Sequence, residues 1–169
     1  GCCGTDQAAA WAEPRDAGAI ADVHLQAWRG AYSGIIPHRT LTSMINRRGA
    51  DWWANAIRRA ATVLVVEIGG KIAGYATIGK NRARELRQQG EIYELYMRPE
   101  YQGIGLGSRL FKAARARLAD HGLRGMVVWA LEDNQNALAF YAGAGGRDIA
   151  EGVEIFEQKA LKKVAFVWE

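Results

Sequence analysis

Residues 91–110 read EIYELYMRPEYQGIGLGSRL. The first seven (91–97) form an apolar, strand-like run that stops before Pro99, because the residue preceding a proline avoids helical geometry. The last residues open a basic run with helical spacing. Between them stand Gly103, Gly105 and Gly107. Each glycine costs roughly 1 kcal/mol in a helix interior, yet these three stand where a helix should begin. A helix start carries unpaired N–H donors and a partial positive charge. Alternate glycines remove the Cβ atoms that would keep a bulky anion off those donors, and a diphosphate suits such a cradle. A tight turn with close helix–sheet packing is the plainer explanation of the same glycines.

The surrounding pattern gives the loop its setting. A helix is predicted from about Gly105 to Asp120, with Leu106, Leu110, Ala114 and Leu118 on one face and Gly122 as its stop. The apolar run MVVWAL (126–131) reads as a buried central strand. Strand, glycine loop, helix and strand make a βαβ crossover. Upstream, 7–13 reads as a short strand, and Asp16 caps a helix carrying Ile20, Val23, Leu25, Ala27 and Trp28. YSGIIP (32–37) is a turn, and 38–60 is helical with a break near Gly49. TVLVVEI (62–68) and KIAGYATI (71–78) flank Gly69-Gly70 as a β-hairpin, and 80–89 is a polar, basic loop. Downstream, Asn134 to Ala142 forms a short helix stopped by GAGG (143–146), and strands are expected at 153–157 and 164–169. The pattern predicts a tail over 1–6 and one domain over 7–169.

Composition narrows the function classes. With 169 residues, 49% hydrophobic and 24% charged, the chain can bury a stable core. The formal charge of +4 is spread over separated clusters with no aromatic-interleaved basic run, so no nucleic-acid partner is expected. No apolar run is long enough to span a membrane. Cys2 and Cys3 are adjacent and unaccompanied, which suits a reduced, cytoplasmic setting and offers no metal site.

Motif spacing prunes the loop's identity. Ser108 stands where a Rossmann fingerprint wants its third glycine, and no Gly-Lys-Ser/Thr closes a P-loop. What remains is Gln/Arg-x-x-Gly-x-Gly/Ala, met by Gln102, Gly105 and Gly107. With it, residues 91–110 resemble the strand–loop–helix that grips the coenzyme A pyrophosphate in the GNAT superfamily of acetyl-CoA-dependent N-acetyltransferases. WALEDNQNALAFYAGAGG (129–146) is similar to that family's next strand and helix, with Asn134, Ala137, Phe140 and Tyr141 at the spacing N-x-x-A-x-x-F-Y. WRGAYSGIIP is of a kind met early in many bacterial members. GAGG departs from the family's usual Gly-Phe.

The resemblance implies a mixed α/β fold: a central, mostly antiparallel twisted sheet, a splayed parallel strand pair and flanking helices. It implies acetyl-CoA as co-substrate, without a metal, and acetyl transfer to a primary amine of a small molecule. A protein amino group as acceptor and a non-catalytic acyl-CoA sensor are the alternatives. Leu95, Tyr96 and Met97 would meet the pantetheine arm through the backbone, Met97 N–H facing the thioester oxygen. Gln102, Gly103, Ile104, Gly105, Leu106, Gly107 and Ser108 would hold the pyrophosphate, with Arg109 and Lys112 candidates for the outer phosphate. Asn134 would contact the coenzyme as well as capping its helix. The Tyr141 hydroxyl would return a proton to the leaving thiolate.

An alkyl amine of pKa about 10 is about 99.9% protonated at pH 7, so a proton acceptor is wanted. Glu91 matches the strand glutamate used as a base in some members and is the first choice, with Glu94 the second. Ideal alternation puts these two on opposite faces unless a bulge changes the parity. Trp28, Tyr32 and Tyr93 are the acceptor-site candidates, whereas His24 and His121 are given no role. Many members of the family dimerise, but the sequence leaves the oligomeric state open.

Overall fold

The computed structural model describes residues 9–59 and 62–169. In chain order these form β1 (Ala9–Trp11), α1 (Ala17–Tyr32), α2 (His38–Arg47), α3 (Ala50–Arg58), β2 (Thr62–Ile68), β3 (Lys71–Lys80) and β4 (Gly90–Met97). There follow α4 (Leu106–Asp120), β5 (Met126–Leu131), α5 (Gln135–Gly143), β6 (Arg147–Phe156) and β7 (Lys159–Trp168). The strands make one sheet in the order β1-β2-β3-β4-β5-β7-β6, and among the described residues its only parallel pair is β4–β5. Gly69 and Gly70 turn the β2–β3 hairpin with φ of 57° and 78°, the left-handed pair that a two-residue loop requires.

Strand alternation divides the core. Leu64, Val66, Ala76, Ile78 and Ile92 face α4, whose expected stripe of Leu106, Leu110, Ala114 and Leu118 is buried against them. Val63, Val65 and Tyr75 face α1 and α3, where Ile20, Val23 and Trp53 close the other layer. Arg98, just past β4, ties the first helix to the sheet. Its guanidinium pairs with Asp22, and its Nε donates to Ile72 O at 2.8 Å.

Expectations at three points need correction. The first strand ends at Trp11 instead of 13; its described part is Ala9–Trp11, and residues 1–8 lie outside the described residues. Asp16 precedes α1 but does not cap it, because its carboxylate accepts from Glu13 N–H at 2.8 Å. β6 begins at Arg147 instead of 153 and pairs with β7 throughout, apart from a bulge between Asp148 and Ala150. As an edge strand it is exposed on both faces, so no alternation marks its first half. The GAGG turn is closed from the far end of the chain. Trp168 lies so close to Gly146 that a Cβ there would sit 2.6 Å from its ring, and its Nε1 donates to Ala144 O at 3.1 Å.

His24 is fully buried on α1, with neither ring nitrogen bonded among the described residues. Burial first, then the charge of Arg48, lowers its pKa from 6.5 to about 4, with Glu94 opposing. An unfolded chain therefore binds the proton between those values and the native one does not. Stability is complete above about pH 6.5 and falls as pH drops towards 4. The expected loss between about pH 7.5 and pH 5 is about 2 kcal/mol from this group. Urea unfolding of His24→Leu should show a pH dependence smaller by that amount; an unchanged dependence would contradict the assignment.

Candidate functional site

The strands β4 and β5 pair only at Gly90–Met126, Glu91–Val127 and Ile92–Val128. Beyond Ile92 they part, while β4 stays paired with β3 as far as Met97. The β5-facing backbone groups of the last β4 residues thus have no strand partner. Their direction follows from Arg98, whose N–H donates to Ala73 O on β3. Successive residues point their N–H groups to opposite sides, so the Met97 N–H, and by the same alternation that of Leu95, faces the gap.

The gap opens into a cleft of about 530 Å³. One end is formed by the start of α4. Gly103 and Gly105 have φ of 81° and 86°, and a Cβ on either would meet nothing within 4 Å. Arg109 N–H is bonded to Gly105 O, so the N–H groups of Leu106, Gly107 and Ser108 are the unpaired donors of the first turn. Gln102, Gly103, Gly105, Gly107 and Ser108 line the cleft. Ile104 projects into solvent and Leu106 into the core, which limits both to main-chain roles. Across the cleft Asn134 caps α5 through Ala137 N–H at 3.2 Å and also lines the wall.

Tyr141 lies where α5 meets the cleft, its ring packed near Phe140, Phe166 and Trp168 with centroids 5.3, 5.9 and 6.2 Å away. Its hydroxyl has no hydrogen bond among the described residues. Burial, with a smaller push from Tyr32, raises the phenol well above its usual 10.0. It therefore stays protonated at neutral pH and can donate.

The other end is built by α1 and β4. Tyr32, Tyr93, Glu94 and Tyr96 line it beside the small residues Ala27, Gly30 and Ala31. Trp28 stands behind this wall, 5.0 Å from the Tyr32 ring and 6.0 Å from that of Tyr96. The Tyr32 and Tyr96 hydroxyls are 2.6 Å apart. Burial pushes Tyr32 up to about 12 and Tyr96 well above 10.0.

A bulge sets the two glutamates. Thr77 pairs with Glu94 and Gly79 with Glu91, so Tyr93 is the extra residue and both carboxylates fall on one face. Their surroundings still differ. Glu91 is 2% exposed, absent from the cleft lining, and held by Arg82 through its N–H at 3.0 Å and its guanidinium at 3.0 Å. Glu94 does line the cleft. It receives Arg48 in a two-pronged pair at 2.9 and 2.6 Å, Tyr75 O–H at 3.1 Å and Thr77 O–H at 3.3 Å. Arg48 in turn lies 4.4 Å over Trp52 and 4.7 Å over Trp53. Sequence reasoning missed Arg48, Tyr75 and Thr77, because Arg48 is 46 positions from Glu94 and no local spacing connects them.

A family model described as the acetyltransferase (GNAT) family matches residues 23–145. The uncharacterized N-acetyltransferase YuaI of Bacillus subtilis (strain 168) is 31% identical over 149 residues, covering 88% of this chain and 85% of the relative. A mycothiol acetyltransferase of Paenarthrobacter aurescens (strain TC1) is 30% identical over 127 residues, 71% of this chain but only 38% of that protein. Among solved structures, the PaiA N-acetyltransferase of Thermoplasma acidophilum, in complex with coenzyme A, superposes with a TM-score of 0.73. The identity there is 18%, with 92% of this chain and 96% of that one covered, a likeness of fold alone. With both motifs in order, a parallel pair splayed beyond Ile92 and a family model spanning most of the sequence, the chain belongs to the acetyltransferase (GNAT) family.

Proposed function

We propose that this protein moves acetyl from acetyl-CoA directly to a primary amine of a small molecule. The observation that carries this reading is the unpaired end of β4, which opens onto a cleft running from the α4 start to the Tyr32–Tyr96 pair. The residues present fit the coenzyme: the space over Gly103 and Gly105 is open where a diphosphate would approach, and the first-turn N–H groups lack partners. Gln102 to Ser108 hold the pyrophosphate, with Asn134 across from them. The backbones of Leu95, Tyr96 and Met97 flank the pantetheine arm, Met97 N–H supporting the thioester oxygen. One such donor is worth about 10²–10³-fold in rate.

Tyr141 gives its proton to sulfur as the C–S bond breaks. Trp28, Tyr32 and Tyr93 shape the acceptor end, and positioning the amine against the thioester supplies much of the remaining rate. Of the strand carboxylates, Glu94 borders the acceptor and Glu91 supports the strand from outside the cleft. The test is thiol release from acetyl-CoA across a panel of primary amines. Release that requires both the protein and an amine, with N-acetyl product, is expected. Tight coenzyme binding without turnover on any amine would replace this reading with an acyl-CoA sensor.

A further inference from the structure

A carboxylate offers about four acceptor positions. At Glu94 the two Arg48 prongs, Tyr75 and Thr77 occupy all of them. Glu91 takes three hydrogen bonds from Arg82 and does not reach the cleft. Glu154, the other carboxylate whose field reaches Tyr32, is bonded to Lys163 at 2.8 Å. Glu94, Glu91 and Glu154 are thus each matched by one cation: Arg48, Arg82 and Lys163. Among the described residues Glu94 is the one carboxylate lining the cleft, and with its acceptor positions filled it is not free to receive an ammonium ion or strip its proton.

The Tyr32–Tyr96 pair is the polar group with capacity to spare. One hydroxyl donates to the other, and the second keeps its own proton and one lone pair for a ligand. The Tyr32 and Tyr96 rings that carry these hydroxyls line the cleft, backed by Trp28, and Ala27, Gly30 and Ala31 leave room beside them. Such a wall suits a flat apolar body.

Resting on the acetyl-transfer reading, we infer that the acceptor is a weakly basic aromatic amine, already neutral at physiological pH and bound through the Tyr32–Tyr96 hydroxyl pair. The neutral nitrogen forms the C–N bond with the thioester carbonyl carbon and the C–S bond breaks. The nitrogen sheds one proton and the sulfur gains one. Tyr141 supplies the sulfur's proton, and the nitrogen's proton, acidic once the C–N bond has formed, leaves to water, from which Tyr141 regains its own. The proton count closes without a carboxylate base.

The probes are aniline, whose conjugate acid titrates well below neutral pH, and benzylamine, an alkylamine of similar size. At pH 7 an alkylamine of pKa about 10 is only about 0.1% neutral, so kcat/KM for aniline should exceed that for benzylamine by at least about tenfold. The benzylamine value should rise about tenfold per pH unit between pH 7 and pH 9, and that for aniline should stay flat. Calorimetric titration of aniline into the protein with coenzyme A bound should show about fivefold weaker binding in Tyr32→Phe and Tyr96→Phe, the loss of one hydrogen bond.

A flat benzylamine profile at or above the aniline rate would overturn the inference, because it requires a base in the enzyme. Acetylation of neither amine while other primary amines react and coenzyme A still raises the melting temperature would overturn the substrate class and leave acetyl transfer standing. Turnover of no amine at all would defeat both readings.

Discussion

Tyr141→Phe is expected to lower kcat by about 10²-fold or more while leaving coenzyme A binding intact. The ring is packed among Phe140, Phe166 and Trp168, so phenylalanine fills the same space. The hydroxyl serves no structural partner among the described residues, and its removal should cost little stability. What is lost is a proton donor held in its protonated form by burial. Positioned acids contribute about 10²–10⁴-fold, and the lower end applies where water can also protonate a thiolate. Steady-state kinetics with saturating acetyl-CoA, alongside the melting-temperature rise with coenzyme A, check the two halves of the expectation. A kcat within about twofold of the native value would remove Tyr141 from the mechanism.

Trp53→Ala should have the largest effect on stability. Trp53 is fully buried between α3 and the sheet, with its ring 4.8 Å from that of Tyr75 and 6.0 Å from that of His24. It also carries the Arg48 guanidinium that fixes Glu94. Truncating a buried tryptophan costs about 3–5 kcal/mol, which for a chain of this size lowers the melting temperature by about 6–20 °C. Because Tyr75 and Arg48 both bond to Glu94, the acceptor end should loosen before the α4 end does. Thermal unfolding measures the first effect. A shift below about 2 °C would mean that the α3 layer does not hold the sheet as described.

Much of this architecture is legible in local sequence. The glycine loop, the stripe from Leu106 to Leu118 and the apolar run 126–131 each follow from a single period, and together they locate the splayed pair. Gln102, Gly105, Gly107, Asn134 and Tyr141 stand at motif spacing, and the structure brings them to one cleft. The acceptor end is less legible, because its partnerships are long-range. Arg48 reaches Glu94 from the α2–α3 junction, and Tyr32 meets Tyr96 from 64 positions away. The bulge at Tyr93 inverts the parity on which any facing argument for Glu91 and Glu94 depends. His24 looks idle in sequence because only tertiary packing places it against Trp28, Trp53 and Tyr75. The first half of β6 carries no pattern, since neither face is buried.

The most direct test is to titrate coenzyme A, acetyl-CoA, ATP and NAD separately into the purified protein and follow its melting temperature. A ligand at about 100 times its dissociation constant stabilises by about 2.7 kcal/mol, a rise of about 5–10 °C for a chain of this length. Coenzyme A and acetyl-CoA should produce that rise, and ATP and NAD should not. Stabilisation by ATP or NAD with none from coenzyme A would contradict the assignment of the β4–β5 cleft.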